Sequence, residues 1–400
     1  MRPNLNRMNP RRRLDPQLLR VDPRVREGYY SDEYFNRSRY ILLRDDYHPT
    51  IRMQVFQKHD DVCLCGVSEA LGILYSALGE DFGKLEIHTL RDGDIIERGE
   101  TVMIVEGDYS LFAHLETVYL GALSRRTRVA TNVYRTVREA SRVTPKPVLF
   151  FPARFDIYQC QAGDGFAYDI ALGTLGIDSH SAGYGVSTPA QGDWWGSRAL
   201  GTIPHGLQAA YGGDIVLSSL KFAEYLDPDI KRIVLVDFHN DSVGTTLDVA
   251  DAFLQRYLPD RDPRYQLYAV RLDTSETVID RSICKQMELF KPTGVNPQLV
   301  INVHQALQER AAGYPAGSVE SEFYKNVGIV CSGGFTPEKI ARFERLNLPV
   351  IAYGVGSSMF SGQYDFTADV VSLKQDDAWR DVAKVGRRHR PNDRLELVRY

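Results

Sequence analysis

Residues 329–358 read IVCSGGFTPEKIARFERLNLPVIAYGVGSS, and within them an apolar run twice ends in a loop of small residues. The first run, Ile329-Val330-Cys331, opens into Ser332-Gly333-Gly334-Phe335 and then Thr336-Pro337-Glu338. Thr336 suits a helix N-cap, Pro337 the first helical position, and Glu338 the positive end of the helix dipole. A strand, a glycine loop and a helix start in that order expose backbone N–H groups that can hold a phosphate. After a stretch long enough for a crossover helix, Pro349–Tyr353 runs into Gly354-Val355-Gly356-Ser357-Ser358. Either loop alone reads as a tight turn. Two of them, at the ends of neighbouring parallel strands, form the kind of cradle with which barrels grip a phosphate.

Working outward, Pro145 and Pro147 mark a boundary, and after it apolar runs alternate with helical stretches. Val148–Phe151, Ile233–Val236, Leu267–Leu272, Ile329–Cys331 and Val350–Tyr353 read as buried parallel strands. That alternation predicts an α/β barrel or an open doubly wound sheet. Arg154, Asp237, Asp273, Ser332 and Gly354 fall just past these strands, and in a barrel such ends share the rim where active sites lie.

Ahead of the boundary, Tyr30-Ser31-Asp32-Glu33-Tyr34-Phe35 leads into a helical pattern, with Ser31 or Asp32 as cap and Tyr34 and Phe35 in its first turn. Those aromatics could stack on a flat ring or simply staple the helix. Ile51–Phe56 alternates like a strand, Val67–Leu78 reads as a helix, and short strands punctuated by Gly93, Gly99 and Gly107 complete a compact antiparallel unit. A long helical region spans residues 111–143, and the extended pattern of residues 370–398 returns to the first domain. The expected organisation is a basic tail at 1–29, an N-terminal α/β domain at 30–144, a β/α barrel at 145–365 and a C-terminal segment at 366–400.

The chain has 400 residues, enough for two or three domains, and its 43% hydrophobic and 25% charged content is ordinary for a globular protein. A net charge of -4 gives no support for nonspecific nucleic-acid binding, so an anionic substrate needs a local basic pocket. The 5 cysteines include no C-x-x-C pair, which predicts reduced thiols, a cytoplasmic setting and no structural metal. No apolar run is long enough to span a bilayer. Arg2, Arg7 and Arg11-Arg12-Arg13 precede no apolar core, so the N-terminus is not a secretory signal; it could be an organelle address or an RNA-binding arm, and reads first as a flexible or surface-draped tail.

Four positions stand out chemically. His205, after Gly201-Thr202-Ile203-Pro204, is fixed between a proline and a helix start, where it could accept or pass a phosphoryl group. Asp273, at the end of Arg271-Leu272, suits sugar hydroxyls or a magnesium ion, which favours one or two carboxylates plus substrate phosphate oxygens. Asp237, with His239 and Asp241 nearby, is a second candidate, although strand-end aspartates also cap helices. Arg154 is the arginine best placed to hold a carboxylate or phosphate with two parallel hydrogen bonds; Arg125 and Arg126 read more simply as solvated groups on a helix face.

Together these residues resemble nicotinate phosphoribosyltransferase, a type II phosphoribosyltransferase. The likeness runs roughly from Tyr30 onward and rests on Asp32-Glu33-Tyr34-Phe35, the helix ending in Ser124–Thr131, Phe151-Pro152-Ala153-Arg154, Gly201–His205, Arg271–Thr274, Ser332-Gly333-Gly334 and Gly354–Ser357. It implies an irregular β/α barrel with an N-terminal α/β domain to which the C-terminal segment returns, assembled as a homodimer with active sites near the interface. It implies transfer of phosphoribose from phosphoribosyl pyrophosphate to nicotinate with Mg2+, coupled to ATP through a phosphorylated histidine matched by His205. It further implies that Tyr34 stacks on the pyridine ring, Arg154 meets the carboxylate, Thr202 lies beside it, and Ser332, Gly333, Gly334, Gly354, Gly356 and Ser357 hold the 5′-phosphate. Pro152, Phe155 and Phe238 depart from the family pattern, which more often has Gly, a basic residue and Thr there. Nicotinamide and quinolinate are the alternative bases, and a phosphoribosyl-binding homologue without activity is the alternative of another class.

Overall fold

The computed structural model describes residues 13–181, 183–284 and 291–399; Arg2, Arg7, Arg11 and Arg12 lie outside them. Fourteen strands occur in the described residues: β1 (Thr50–Phe56), β2 (Val62–Cys63), β3 (Glu86–Thr89), β4 (Ile95–Ile96), β5 (Thr101–Asp108), β6 (Val148–Phe150), β7 (Gly185–Val186), β8 (Arg232–Leu235), β9 (Leu267–Leu272), β10 (Gly328–Cys331), β11 (Ala352–Val355), β12 (Thr367–Gln375), β13 (Ala378–Asp381) and β14 (Glu396–Leu397).

The first sheet has the order β13-β12-β1-β5-β3-β14, and every pairing in it is antiparallel. Its centre is β1, where Met53 faces Val105 of β5 and Val370 of β12. Met53 and Val105 are buried together with Leu71 and Leu74 of the helix Val67–Leu78 and Tyr119 and Leu123 of the helix Glu116–Ala140. The C-terminal segment thus completes the N-terminal sheet, because the apolar positions of β12 need β1 beside them to leave water. Residues 13–29 are more than a draped surface tail: Leu14 enters the core beneath the second sheet and Val25 the core of the first.

The second sheet has the order β7-β6-β11-β10-β9-β8 and is parallel throughout. Six strands form an incomplete barrel. Alternate residues go to opposite faces. Val148, Phe150, Val270, Leu272, Ile329, Cys331, Tyr353 and Val355 pack against covering helices such as Gln161–Thr174, Ser242–Tyr257 and Pro297–Ala312. Leu149, Ala269, Val330 and Ala352 make a small cluster on the other face.

Two sequence expectations shift. The last strand begins two residues later than read and continues to Val355, so Gly354 belongs to β11, opposite Leu149, and not to the loop. No side chain fits at 354: a Cβ would come within 2.9 Å of the Phe151 ring and 3.2 Å of Ser332 Cβ. The strand β7 was not foreseen, because two residues carry no readable pattern. The helix Pro337–Arg345 starts as expected, with Thr336 accepting a hydrogen bond from the Lys339 backbone at 3.3 Å. Its far end is pinned by Glu344, which is 1% exposed and accepts from Lys146 at 2.7 Å and from the Tyr353 hydroxyl at 2.6 Å. One buried carboxylate therefore fixes the helix of the first glycine loop to the strand of the second.

Candidate active site

The ends of the parallel strands bring most of the singled-out residues together. His205 opens the short helix His205–Ala210 behind Pro204, whose extended backbone ends the preceding loop. Its Nε2 lies 3.0 Å from Asp237 Oδ1, just past β8. The Asp237 side chain is 7% exposed, that of His205 40%. The hydrogen bond to Asp237 raises the imidazole pKa above its ordinary value, with Asp273 adding to the effect and burial opposing it.

Past β9, Asp273 is held on both sides. Ser332 Oγ donates to its Oδ1 at 2.7 Å, and Arg271 Nη2 donates to its Oδ2 at 3.2 Å. The same Arg271 donates through Nη1 to Thr202 Oγ1 at 2.5 Å, and its guanidinium lies 5.9 Å from the centre of the Phe151 ring. Thr202, Asp273 and Ser332 thus form one chain of contacts, and the field of Asp273 and Arg271 reaches His205. Sequence reading treated Arg271 only as part of a motif. Its partner Thr202 is 69 residues away, a separation that no local pattern reveals.

The first glycine loop lies against this chain. Gly333 and Gly334 adopt φ of +82° and +63°, which side chains rarely tolerate. A Cβ at 333 would lie 3.2 Å from Asp273 Oδ1, and one at 334 would run into the Glu276 carboxylate. In the second loop, Gly356 precedes the 3-10 turn Ser357–Phe360, and a Cβ there would meet the Phe155 ring at 2.7 Å. Ser357 is exposed at that turn, and Ser358 Oγ donates to the Phe335 carbonyl at 2.7 Å, joining the two loops.

Arg154 is exposed in the turn after β6. Its guanidinium lies 5.3 Å from the centre of the Phe155 ring, and among the described residues it has no ion pair. Arg125 and Arg126 are not the solvated pair read from the sequence. Arg125 binds Asp164 at 2.8 Å and Asp156 at 2.7 Å, while Arg126 binds Glu69 at 2.6 Å and Asp164 at 2.7 Å. They fasten three helices and are already committed. Tyr34 stands apart from the rim. It is 60% exposed on the helix Glu33–Arg44, in contact with Phe35 and in the field of Asp32 and Glu116.

Among the described residues no cluster of three or more His, Cys, Asp or Glu side chains is placed to hold a metal. Asp273 is a single carboxylate, which fits Mg2+ only if substrate oxygens complete its shell. No described helix is long and apolar enough to cross a membrane.

Comparison with known proteins agrees with this architecture. The family described as "Quinolinate phosphoribosyl transferase, N-terminal domain" matches residues 32–127. A search of curated proteins finds no match. Among solved structures, nicotinate-nucleotide pyrophosphorylase from Pyrococcus furiosus is 26% identical with a TM-score of 0.72, covering 95% of this chain and 85% of its own. Human nicotinic acid phosphoribosyltransferase is 16% identical with a TM-score of 0.59, covering 86% and 74%. Nicotinate-nucleotide pyrophosphorylase from Francisella tularensis is 14% identical with a TM-score of 0.51, covering 88% and 98%. The chain has the fold of the type II phosphoribosyltransferases.

Proposed function

We propose that this protein transfers phosphoribose from phosphoribosyl pyrophosphate to nicotinate, giving nicotinate mononucleotide and pyrophosphate in NAD synthesis, with ATP as co-substrate. The observation that carries the reading is the His205–Asp237 pair beside the Thr202–Arg271–Asp273–Ser332 chain. A plain transferase needs no histidine held by a carboxylate. A phosphoryl acceptor does: with the Nε2 proton donated to Asp237, the lone pair stands on Nδ1. Attack by Nδ1 on the terminal phosphorus of ATP forms the N–P bond and releases ADP, and later hydrolysis of phosphohistidine returns free imidazole and phosphate.

In the transfer itself, the neutral pyridine nitrogen bonds to C1 of the ribose while the bond from C1 to pyrophosphate breaks. Positive charge grows on the sugar and negative charge on the leaving group. Asp273, oriented by Ser332 and Arg271, faces the first charge, and the backbone N–H groups of the glycine loops hold the 5′-phosphate. Asp273 would hold Mg2+ together with substrate oxygens, and the ion would offset charge on the departing pyrophosphate.

Nicotinate carries one carboxylate, and Arg154, exposed just past β6 and without an ion pair among the described residues, is placed to meet it. Quinolinate, the second reading, is favoured by the family match over residues 32–127, but its second carboxylate needs a further cation. Arg125 and Arg126 are occupied elsewhere. We further propose a homodimer in the cytoplasm. Tyr34, Tyr40, Ile41 and Leu43 are 60%, 64%, 64% and 47% exposed along one helix, and a second copy covering them would bring Tyr34 to a site it does not reach within its own chain.

The test is a His205→Ala variant. Stimulation of pyrophosphate release by ATP should disappear while the ATP-independent rate persists. Undiminished stimulation would remove the phosphohistidine from the account.

A further inference from the structure

Two carboxylates border the first glycine loop, and among the described residues only Asp273 has an arginine beside it, Arg271 at 3.2 Å. Asp273 closes on Gly333 and the carboxylate of Glu276 on Gly334. A doubly charged phosphate entering such a loop meets repulsion that two glycines and a helix dipole do not offset, since a helix N-terminus contributes only about half a unit charge. Arg271 answers Asp273, which leaves the Glu276 side of the loop in need of a cation.

Lys339 has that position. It lies in the first turn of the helix Pro337–Arg345, with its side chain 22% exposed. Its ammonium donates to the Gly333 carbonyl at 3.2 Å, lies 3.9 Å from Glu276 Oε1 and sits 4.4 Å from the centre of the Phe335 ring. Burial lowers its pKa below the usual lysine value. An ammonium has three donors, and among the described residues one carbonyl takes one of them. The Glu276 carboxylate and the Phe335 ring are the groups beside the rest.

We infer that Lys339 is the side chain that holds the phosphate of the substrate at this loop, and that Glu276 occupies its ammonium while the site is empty. The inference rests on the phosphate reading of the Ser332–Gly334 loop. When the phosphate arrives, its oxygens replace the Glu276 carboxylate at Nζ, and Glu276 moves away from Gly334. The exchange is electrostatic and breaks no covalent bond. It makes Glu276 a competitor of the substrate, so the two residues should have opposite effects on affinity. Glu276 is free to move, its side chain being 59% exposed.

The experiment measures binding of phosphoribosyl pyrophosphate with Mg2+ by calorimetry, and its KM and kcat in pyrophosphate release. The proteins are the parent, Lys339→Met, Lys339→Arg and Glu276→Gln, each checked for a cooperative thermal transition. A lost charged hydrogen bond predicts affinity about 10- to 100-fold weaker for Lys339→Met, with the change falling on KM more than on kcat and partial recovery in Lys339→Arg. Glu276→Gln should bind the substrate more tightly than the parent. If the parent binds and Lys339→Met binds equally well, or if Glu276→Gln weakens binding, the inference fails while the reading of the site stands. If the parent itself binds no phosphoribosyl pyrophosphate, the reading of the loop fails and takes the inference with it.

Discussion

His205 shows what one side chain adds to this fold. Asp237 stabilises the imidazolium, so the histidine holds its proton to higher pH than a free imidazole. Only the neutral ring has a lone pair for phosphorus. The ATP-dependent part of the rate should therefore rise with pH as His205 deprotonates, above the ordinary histidine range. Asp237→Asn removes the charge that raises this pKa, so the rise should move to lower pH while its plateau falls, because the ring is no longer oriented. A pH profile of the ATP-dependent rate checks this, and an unshifted profile would separate Asp237 from the titration. His205 and Asp273 were legible in the sequence because Pro204 and the strand-end pattern flag them. The partnership of Arg271 with Thr202 and the place of Lys339 were not, since each is made by chain segments meeting in space.

Elements were legible where they carried several apolar residues in a row, as β9 and β10 do. They were blurred where burial has another cause. The extent of β11 is set by Leu149 and Phe150 pairing with Gly354 and Val355, and glycine reads as a loop residue until its partner strand is known. The start of the long helix Glu116–Ala140 shows a similar dependence on context. A carboxylate in a first helical turn is ordinarily favourable, yet burial, assisted by Asp369 and Asp32, pushes the Glu116 pKa up to about 7. The folded protein then binds this proton more tightly than the unfolded chain does, so stability falls as pH rises from the ordinary glutamate range through about 7. Glu116→Gln should raise the melting temperature at pH 8 relative to the parent and leave the difference small at pH 4. A larger gain at the acid end would contradict the assignment.

At the scale of the whole molecule, the two sheets divide the work. The parallel one presents Arg154, Asp237, Asp273 and Ser332 along one rim, while the antiparallel one, closed by β12 from the far end of the chain, carries the exposed helix Glu33–Arg44. A charge placed among the exposed apolar residues of that helix, as in Ile41→Asp, should yield a monomer by light scattering with much reduced transfer. Full activity in a monomer would show that no second copy is needed. The alternation of strands and helices was enough to expect an α/β barrel or an open doubly wound sheet. Its closure was not legible, because six paired strands and their edges depend on contacts such as that of β6 with β11 across two hundred residues of chain.

The most direct measurement is pyrophosphate release from phosphoribosyl pyrophosphate and Mg2+ with nicotinate, nicotinamide or quinolinate, each with and without ATP. Release with nicotinate that increases with ATP is the predicted result. Release with quinolinate alone, indifferent to ATP, would contradict both the pairing of Arg154 with a single carboxylate and the role of His205, and no release with any base would leave a binding protein in place of the enzyme.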